Sequence, residues 1–132
     1  MPEIIPKLTV QEVNKISMLG LAHVGDAVYE LLFRSRICAE KPMPVTQLHK
    51  LTVSRVNAAS QAAAAEKIHP FLTEEESGIF KRGRNTKVNS VPHHTDLSQY
   101  HAATRLEALF GWLFLLGRTD RIEELFAVIA EE

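Results

Sequence analysis

The chain has 132 residues, 45% of them hydrophobic, with a formal net charge of −1 and one cysteine, Cys38. That length suits one domain spanning residues 1–132, and the composition excludes a disordered chain. A net charge near zero excludes a uniformly basic nucleic-acid binder, so any site for a polyanion has to be local. A lone thiol excludes an intramolecular disulfide; it fits a reducing compartment, and its plain expectation is a small buried apolar position. The N-terminal MPEIIPKL lacks the long apolar core of a signal peptide, and no run of about 18 uncharged apolar residues occurs. A cytoplasmic protein with no membrane span is therefore expected.

In chain order, residues 2–8 read as an extended arm. Thr9 and Glu12 have capping-box spacing, a hydroxyl followed three residues on by a glutamate, and a short helix to about Ile16 follows. Leu19–Arg34, LGLAHVGDAVYELLFR, reads as one long helix with Ser17 as its cap and its end near Cys38. Leu21, Val24, Val28, Leu31 and Leu32 recur at helical spacing and predict its apolar stripe. Pro42 and Pro44 mark a loop. Thr46 is the expected cap of the next helix, in which Leu48, Leu51, Val56 and Ala59 lead through the alanine run 62–65 to a stop at Pro70. Thr73 and Glu76 repeat the capping-box pattern, and three acids in that first turn suit the positive end of the helix dipole. Residues 89–97 read as a loop. Asp96 or Ser98 caps a helix over Tyr100–Gly117, and Thr119 starts a final amphipathic helix. No strand pattern and no repeat stands out, so the expected fold class is all-α.

Two of these helices share an unusual composition. Asp26 is the only acid between Glu12 and Glu30, and it follows Gly25. Glu107 is the only acid from Tyr100 to Gly117, and Gly111 stands four residues on. Glycine inside a helix costs roughly 1 kcal/mol relative to alanine, and an isolated carboxylate among apolar neighbours needs a partner. If the helices cross closely at the glycines, the carboxylates meet and make a ligand pair suited to magnesium. The competing reading of Asp26 is an exposed acid on the polar face of a plain amphipathic helix.

Lys81, Arg82, Arg84 and Lys87 fall in a stretch without an acid from Ser77 to Thr95, with Gly83 and Asn85 tolerating unusual backbone angles. Arginine forks and lysine charges suit phosphate oxygens. A solvated helix end, where cations suit the dipole, is the alternative. His93, His94 and Asp96 give only a weak metal pattern. Phe110, Trp112 and Phe114 suit core or interface packing better than base stacking.

The segments VGDAVYEL and ATRLEALFGWLFL resemble the catalytic domain of the ribonuclease III family, which carries E-x-x-E-F-L-G-D-A-V-L on one helix and D-x-x-E-A-L-[IF]-G on a later one. The likeness is closer to the small bacterial branch, mini-ribonuclease III, with its GDAVYE helix, basic RGRN segment and closing E-A-L-x-G helix. It covers roughly Met18 to Gly117. The resemblance implies a homodimeric helical bundle that cuts double-stranded RNA with Mg2+ and leaves a 5′-phosphate and a 3′-hydroxyl. It implies Asp26 and Glu107 as catalytic and metal-holding residues, and Lys81, Arg82, Arg84, Asn85 and Lys87 as RNA contacts. By similarity to the small branch, the substrate is a precursor of large-subunit (23S) ribosomal RNA, with a ribosomal protein as a candidate helper.

The sequence departs from the pattern of the larger members at four places. Leu19 and Ala22 stand where they have glutamates, and Thr104 where they have an aspartate. His23 stands where they have the phenylalanine that plugs a socket on the partner subunit. Glu30, one turn after Asp26, is the nearest candidate to compensate for a lost acid. The sequence also leaves no room for the separate RNA-binding domain that larger members add, so binding is expected from the catalytic domain, a dimer or a partner protein. Two other readings stay open. One is a catalytically silent fold of this type that binds structured RNA in a ribosomal assembly. The other is an unrelated all-α magnesium nucleotide pyrophosphohydrolase, against which the lack of E-x-x-E clustering counts.

Overall fold

The computed structural model describes residues 5, 7–84 and 96–131. Seven α-helices follow one another among them: α1 (Val10–Val13), α2 (Met18–Glu40), α3 (Val45–Val56), α4 (Ala58–Ile68), α5 (Glu74–Arg84), α6 (Leu97–Leu115) and α7 (Thr119–Ala130). A 3-10 turn, His69–Phe71, links α4 to α5. No strand occurs among the described residues, so the fold is all-α as the periodicity predicts. No helix among them is long and apolar enough to cross a membrane.

Local chemistry sets most of the helix ends. The capping box at Thr9 forms, with Thr9 Oγ1 accepting from Glu12 N at 3.1 Å and Glu12 Oε1 accepting from Thr9 N at 3.0 Å. Yet α1 stops at Val13 rather than near Ile16. Ser17 Oγ accepts from Gly20 N and caps α2. Thr73 and Glu76 form the second box, and Asp96 caps α6. Two expectations need correction. Pro44, not Thr46, occupies the N-cap of α3, because its carbonyl accepts from Gln47 N and Leu48 N. And the helix expected to run unbroken to Pro70 divides at Asn57. There the backbone is extended (φ −71°, ψ 165°); the Asn57 amide donates to Val53 O and Ser54 O, while its Oδ1 accepts from Ser60 N. One side chain closes α3 and opens α4.

Helix α6 is the central post. Leu106, Ala108, Leu109, Phe110 and Leu113 are fully buried on it, and α2, α4, α5 and α7 pack around it. The buried face of α2 is Met18, Leu21, Ala22, Gly25, Tyr29, Phe33 and Ile37. This corrects the predicted stripe: Leu31 is 62% exposed, and Val24, Val28 and Leu32 only skirt the core. Cys38 is exposed as well, not buried. Trp112 is buried in the core, with its indole N–H donating to Asn14 Oδ1 at 3.4 Å. Tyr29 makes edge-on ring contacts with Phe33 and Phe110 at 5.1 and 5.4 Å. At the end of α6, Gly117 takes φ +76° and turns the chain into α7.

Helices α2 and α6 cross backbone against backbone. A methyl group on Gly25 would lie 1.6 Å from the Glu107 carbonyl oxygen, and one on Gly111 would lie 2.0 Å from the Leu21 carbonyl oxygen. Each glycine admits the backbone of the other helix, and no rotamer change relieves such an overlap. A methyl on Gly78, half-buried in α5, would meet nothing within 4 Å. These two glycines therefore predict opposite outcomes. Gly78→Ala should stabilise the protein by about 0.5–1 kcal/mol through helix propensity. Gly25→Ala should destabilise it by about 3 kcal/mol or more through overpacking. Urea unfolding measures both; a stabilised Gly25→Ala variant would contradict the backbone contact.

Candidate active site

The glycine crossing brings together the two acids that the sequence isolates. Asp26 lies one residue beyond Gly25 on α2, and Glu107 one turn before Gly111 on α6. Their carboxyl groups face each other closely enough for Asp26 to raise the Glu107 carboxyl, although Asp26 is exposed and Glu107 is partly buried. They open into a cleft of roughly 410 Å3 between α2, α4 and α6. Leu19, Ala22 and Thr104, the positions where larger members of the resembled family carry acids, line the same cleft. The cleft thus keeps the geometry of a denser acid cluster with only two acids in it. The Thr104 hydroxyl donates to Tyr100 O at 2.9 Å, which uses its proton within α6.

Burial, then the hydrogen bond and negative charge of Asp26, push the Glu107 carboxyl up to about 8, while a hydrogen bond from Gln61 offsets part of that rise. Gln61 Nε2 donates to Glu107 Oε2 at 3.4 Å. Behind the pair, burial and the Glu107 charge push the Tyr29 phenol above its usual range. No lysine or arginine is among the described residues lining the cleft. The proton on Glu107 therefore stands where a cation would relieve the same repulsion.

The donor set is two carboxylates beside open space. No group of three or more His, Cys, Asp or Glu residues suited to a metal ion occurs among the described residues. Magnesium suits a pair of this kind because it takes one or two carboxylates and keeps water in its other octahedral positions. Asp26 and Glu107 fit that demand.

The other candidates divide. Lys81 and Arg82 are exposed on the last turns of α5, and Arg84 closes that helix. Asn85 and Lys87 lie outside the described residues, as do His93 and His94. Asp96 serves as a helix cap, its Oδ1 accepting from Ser98 N at 2.7 Å. Gly83 is not a loop glycine: it is buried inside α5, where a methyl would come within 2.6 Å of Arg105 Cβ, so it seats α5 on α6. Glu30 is not among the cleft-lining residues and pairs instead with Arg34 at 2.7 Å. Sequence reasoning missed Gln61, and the signal was there: a lone amide on the helix face that continues through Ala64, Ala65 and Ile68.

The model of the Ribonuclease III domain family matches residues 19–118. The chain belongs to the ribonuclease III family. Its relatives include the Mini-ribonuclease 3 of Thermoanaerobacter sp. (strain X514), 44% identical over 95% of this chain and 90% of that protein. The Mini-ribonuclease 3 of Clostridium tetani is 38% identical over 93% of this chain and 82% of that protein. A crystal structure of a Fusobacterium nucleatum protein, 33% identical, aligns with a TM-score of 0.77 over 86% of this chain and 90% of that one. This ribonuclease III chain is an endoribonuclease of a family that acts on double-stranded RNA and depends on a divalent metal. The unrelated pyrophosphohydrolase reading falls with that membership.

The raised Glu107 carboxyl has a consequence for the cation-free protein. Between its ordinary value of 4.5 and about 8, the folded state holds a proton that the unfolded state has lost. The folded state thus binds more protons in that window, and its stability falls as pH rises through it. Glu107→Gln should remove this slope and leave the variant more stable than wild type at the upper end. Urea unfolding in a chelator across the window checks it; parallel curves for the two proteins would contradict it.

Proposed function

We propose that the cleft between α2, α4 and α6 is the catalytic centre of a magnesium-dependent endoribonuclease that matures a precursor of large-subunit (23S) ribosomal RNA. The supporting observation is that Asp26 and Glu107 face one cleft, close enough for Asp26 to raise the Glu107 carboxyl, with no lysine or arginine among the described residues lining it. In this reading residues 1–132 form one catalytic domain in the cytoplasm. Asp26 and Glu107 hold the cation. Bound magnesium would supply charge stabilisation at the phosphate and acidify water for attack. Water adds to phosphorus and the 3′-oxygen leaves with a proton, so the products carry a 5′-phosphate and a 3′-hydroxyl. Lys81, Arg82, Arg84, Asn85 and Lys87 contact phosphates, since the deep major groove of duplex RNA leaves backbone and 2′-hydroxyls as the readable surface.

The working unit is a homodimer. A second, strongly apolar groove of roughly 540 Å3 runs between α2 and α7, lined by Val24, Val28, Leu31, Phe114 and Ile122. Leu31 gives this groove an exposed apolar rim that the core does not use. His23 lines both the groove and the acid cleft, so a second copy seated on the groove reaches the rim of the catalytic centre. Two clefts on one symmetric dimer suit the two strands of a duplex.

The test is cleavage of a duplex ribosomal RNA precursor with Mg2+ and with a chelator, with and without ribosomal proteins, by wild type and Asp26→Asn. Wild type should cut only with Mg2+. Asp26→Asn should keep its helicity and lose more than the about 100-fold typical of outer-sphere partners. Near-normal cleavage by the variant would overturn the assignment, and no cleavage by wild type under any condition would favour a silent RNA-binding role. In the same preparations, sedimentation should find a dimer that Leu31→Glu dissociates. Duplex affinity should lose part of its salt dependence in a Lys81→Ala, Arg82→Ala variant. A wild-type monomer at micromolar concentration, or an unchanged salt slope, would remove those parts of the reading.

A further inference from the structure

The wall of the cleft carries a buried polar side chain assigned no role so far. Gln61 lies in the first turns of α4 and is 4% exposed. It shares a helix face with Ala64, Ala65 and Ile68, all buried. An amide on such a face costs free energy unless it is hydrogen-bonded. Its partner is Glu107 Oε2, reached from a helix 46 residues away in sequence. The break at Asn57 makes this reach possible. Asn57 ends α3 and caps α4, so α4 starts in a direction of its own and carries Gln61 to the cleft.

The chemical type of the donor matters. A lysine or arginine here would pair with Glu107 and cancel the charge a cation needs. An apolar residue would leave the carboxylate free to turn. A neutral amide restrains one oxygen and leaves the negative charge in place. Carboxylates that hold metals are themselves commonly fixed by such hydrogen bonds.

We propose that Gln61 is a positioning residue for the cation site, holding Glu107 Oε2 so that the Glu107 and Asp26 carboxylates face one divalent ion together. This rests on the reading of Asp26 and Glu107 as the cation-holding pair.

The experiment uses Mn2+ as the probe and follows the free-ion electron paramagnetic resonance signal during titration with wild type, Asp26→Asn, Gln61→Met and Gln61→Ala. Gln61→Met removes the donor and keeps the bulk; Gln61→Ala removes both. Both Gln61 variants should weaken Mn2+ binding by about 10–100-fold, while the thermal midpoint of Gln61→Met stays near that of wild type. Cleavage of duplex RNA should need correspondingly more Mg2+ to reach half its maximum and should regain most of its plateau at high Mg2+. Wild-type Mn2+ affinity in Gln61→Met overturns the proposal, whether or not Gln61→Ala weakens together with its stability, since that result leaves Gln61 only a packing role. Wild-type Mn2+ affinity in Asp26→Asn overturns the underlying pair and the proposal with it. The two failures differ because only the first keeps the Asp26 effect.

Discussion

The contact on which the rest depends is backbone against backbone, where α2 and α6 cross at Gly25 and Gly111. Neither position has room for a Cβ, because each would meet a carbonyl oxygen of the opposite helix. Two glycines in helix interiors together cost roughly 2 kcal/mol of propensity. The approach they permit sets the distance between two acids. It also brings Tyr29 from α2 against Phe110 of α6 beneath them. The core and the cleft are thus two sides of one crossing.

That crossing forces an electrostatic conflict. It presses two carboxyl groups together in a partly buried place, and the resolution without a cation is a proton on Glu107 held up to about 8. A buried acid elsewhere in the molecule is handled differently. Glu76 is buried, but it receives hydrogen bonds from Arg121 Nε and Nη2 at 2.9 and 2.8 Å, and its carboxyl is held below its usual range as those bonds outweigh burial. The protein therefore supplies a cationic partner where a carboxylate serves the fold. At Asp26 and Glu107 no lysine or arginine lines the cleft among the described residues, and the side chain that donates to Glu107 is the amide of Gln61. The contrast between a stabilising ion pair and this pair of acids supports the proposal that Asp26 and Glu107 take an external cation.

What the sequence made legible was local or paired. The caps at Thr9, Ser17, Thr73 and Asp96 depend on side chains within three residues of the groups they satisfy, so their spacing alone reveals them. The glycine–acid pairs were legible because each costs free energy in an isolated helix and two such costs at matching positions point to each other. What failed depended on three-dimensional partners. The apolar stripe of α2 is two faces, one toward α6 and one along the outer groove, and periodicity blended them through Val24, Val28 and Leu31. Gly83 read as a residue tolerating unusual backbone angles, whereas Arg105 on another helix is what it makes room for. The break at Asn57 was hidden because asparagine inside a helical pattern is only mildly unfavourable until its side chain turns back to bond the main chain. Gln61 was masked by the alanine run beside it.

The proposed chemistry requires that Asp26 and Glu107 hold a single divalent cation at the α2–α6 crossing. Crystals grown with Mn2+ and measured near its absorption edge test this most directly, because anomalous scattering locates the ion itself. One strong peak is expected between the Asp26 and Glu107 carboxylates, with Gln61 still bonded to Glu107. A cleft without a peak at a Mn2+ concentration that supports full cleavage, or a peak held by other residues, would contradict it.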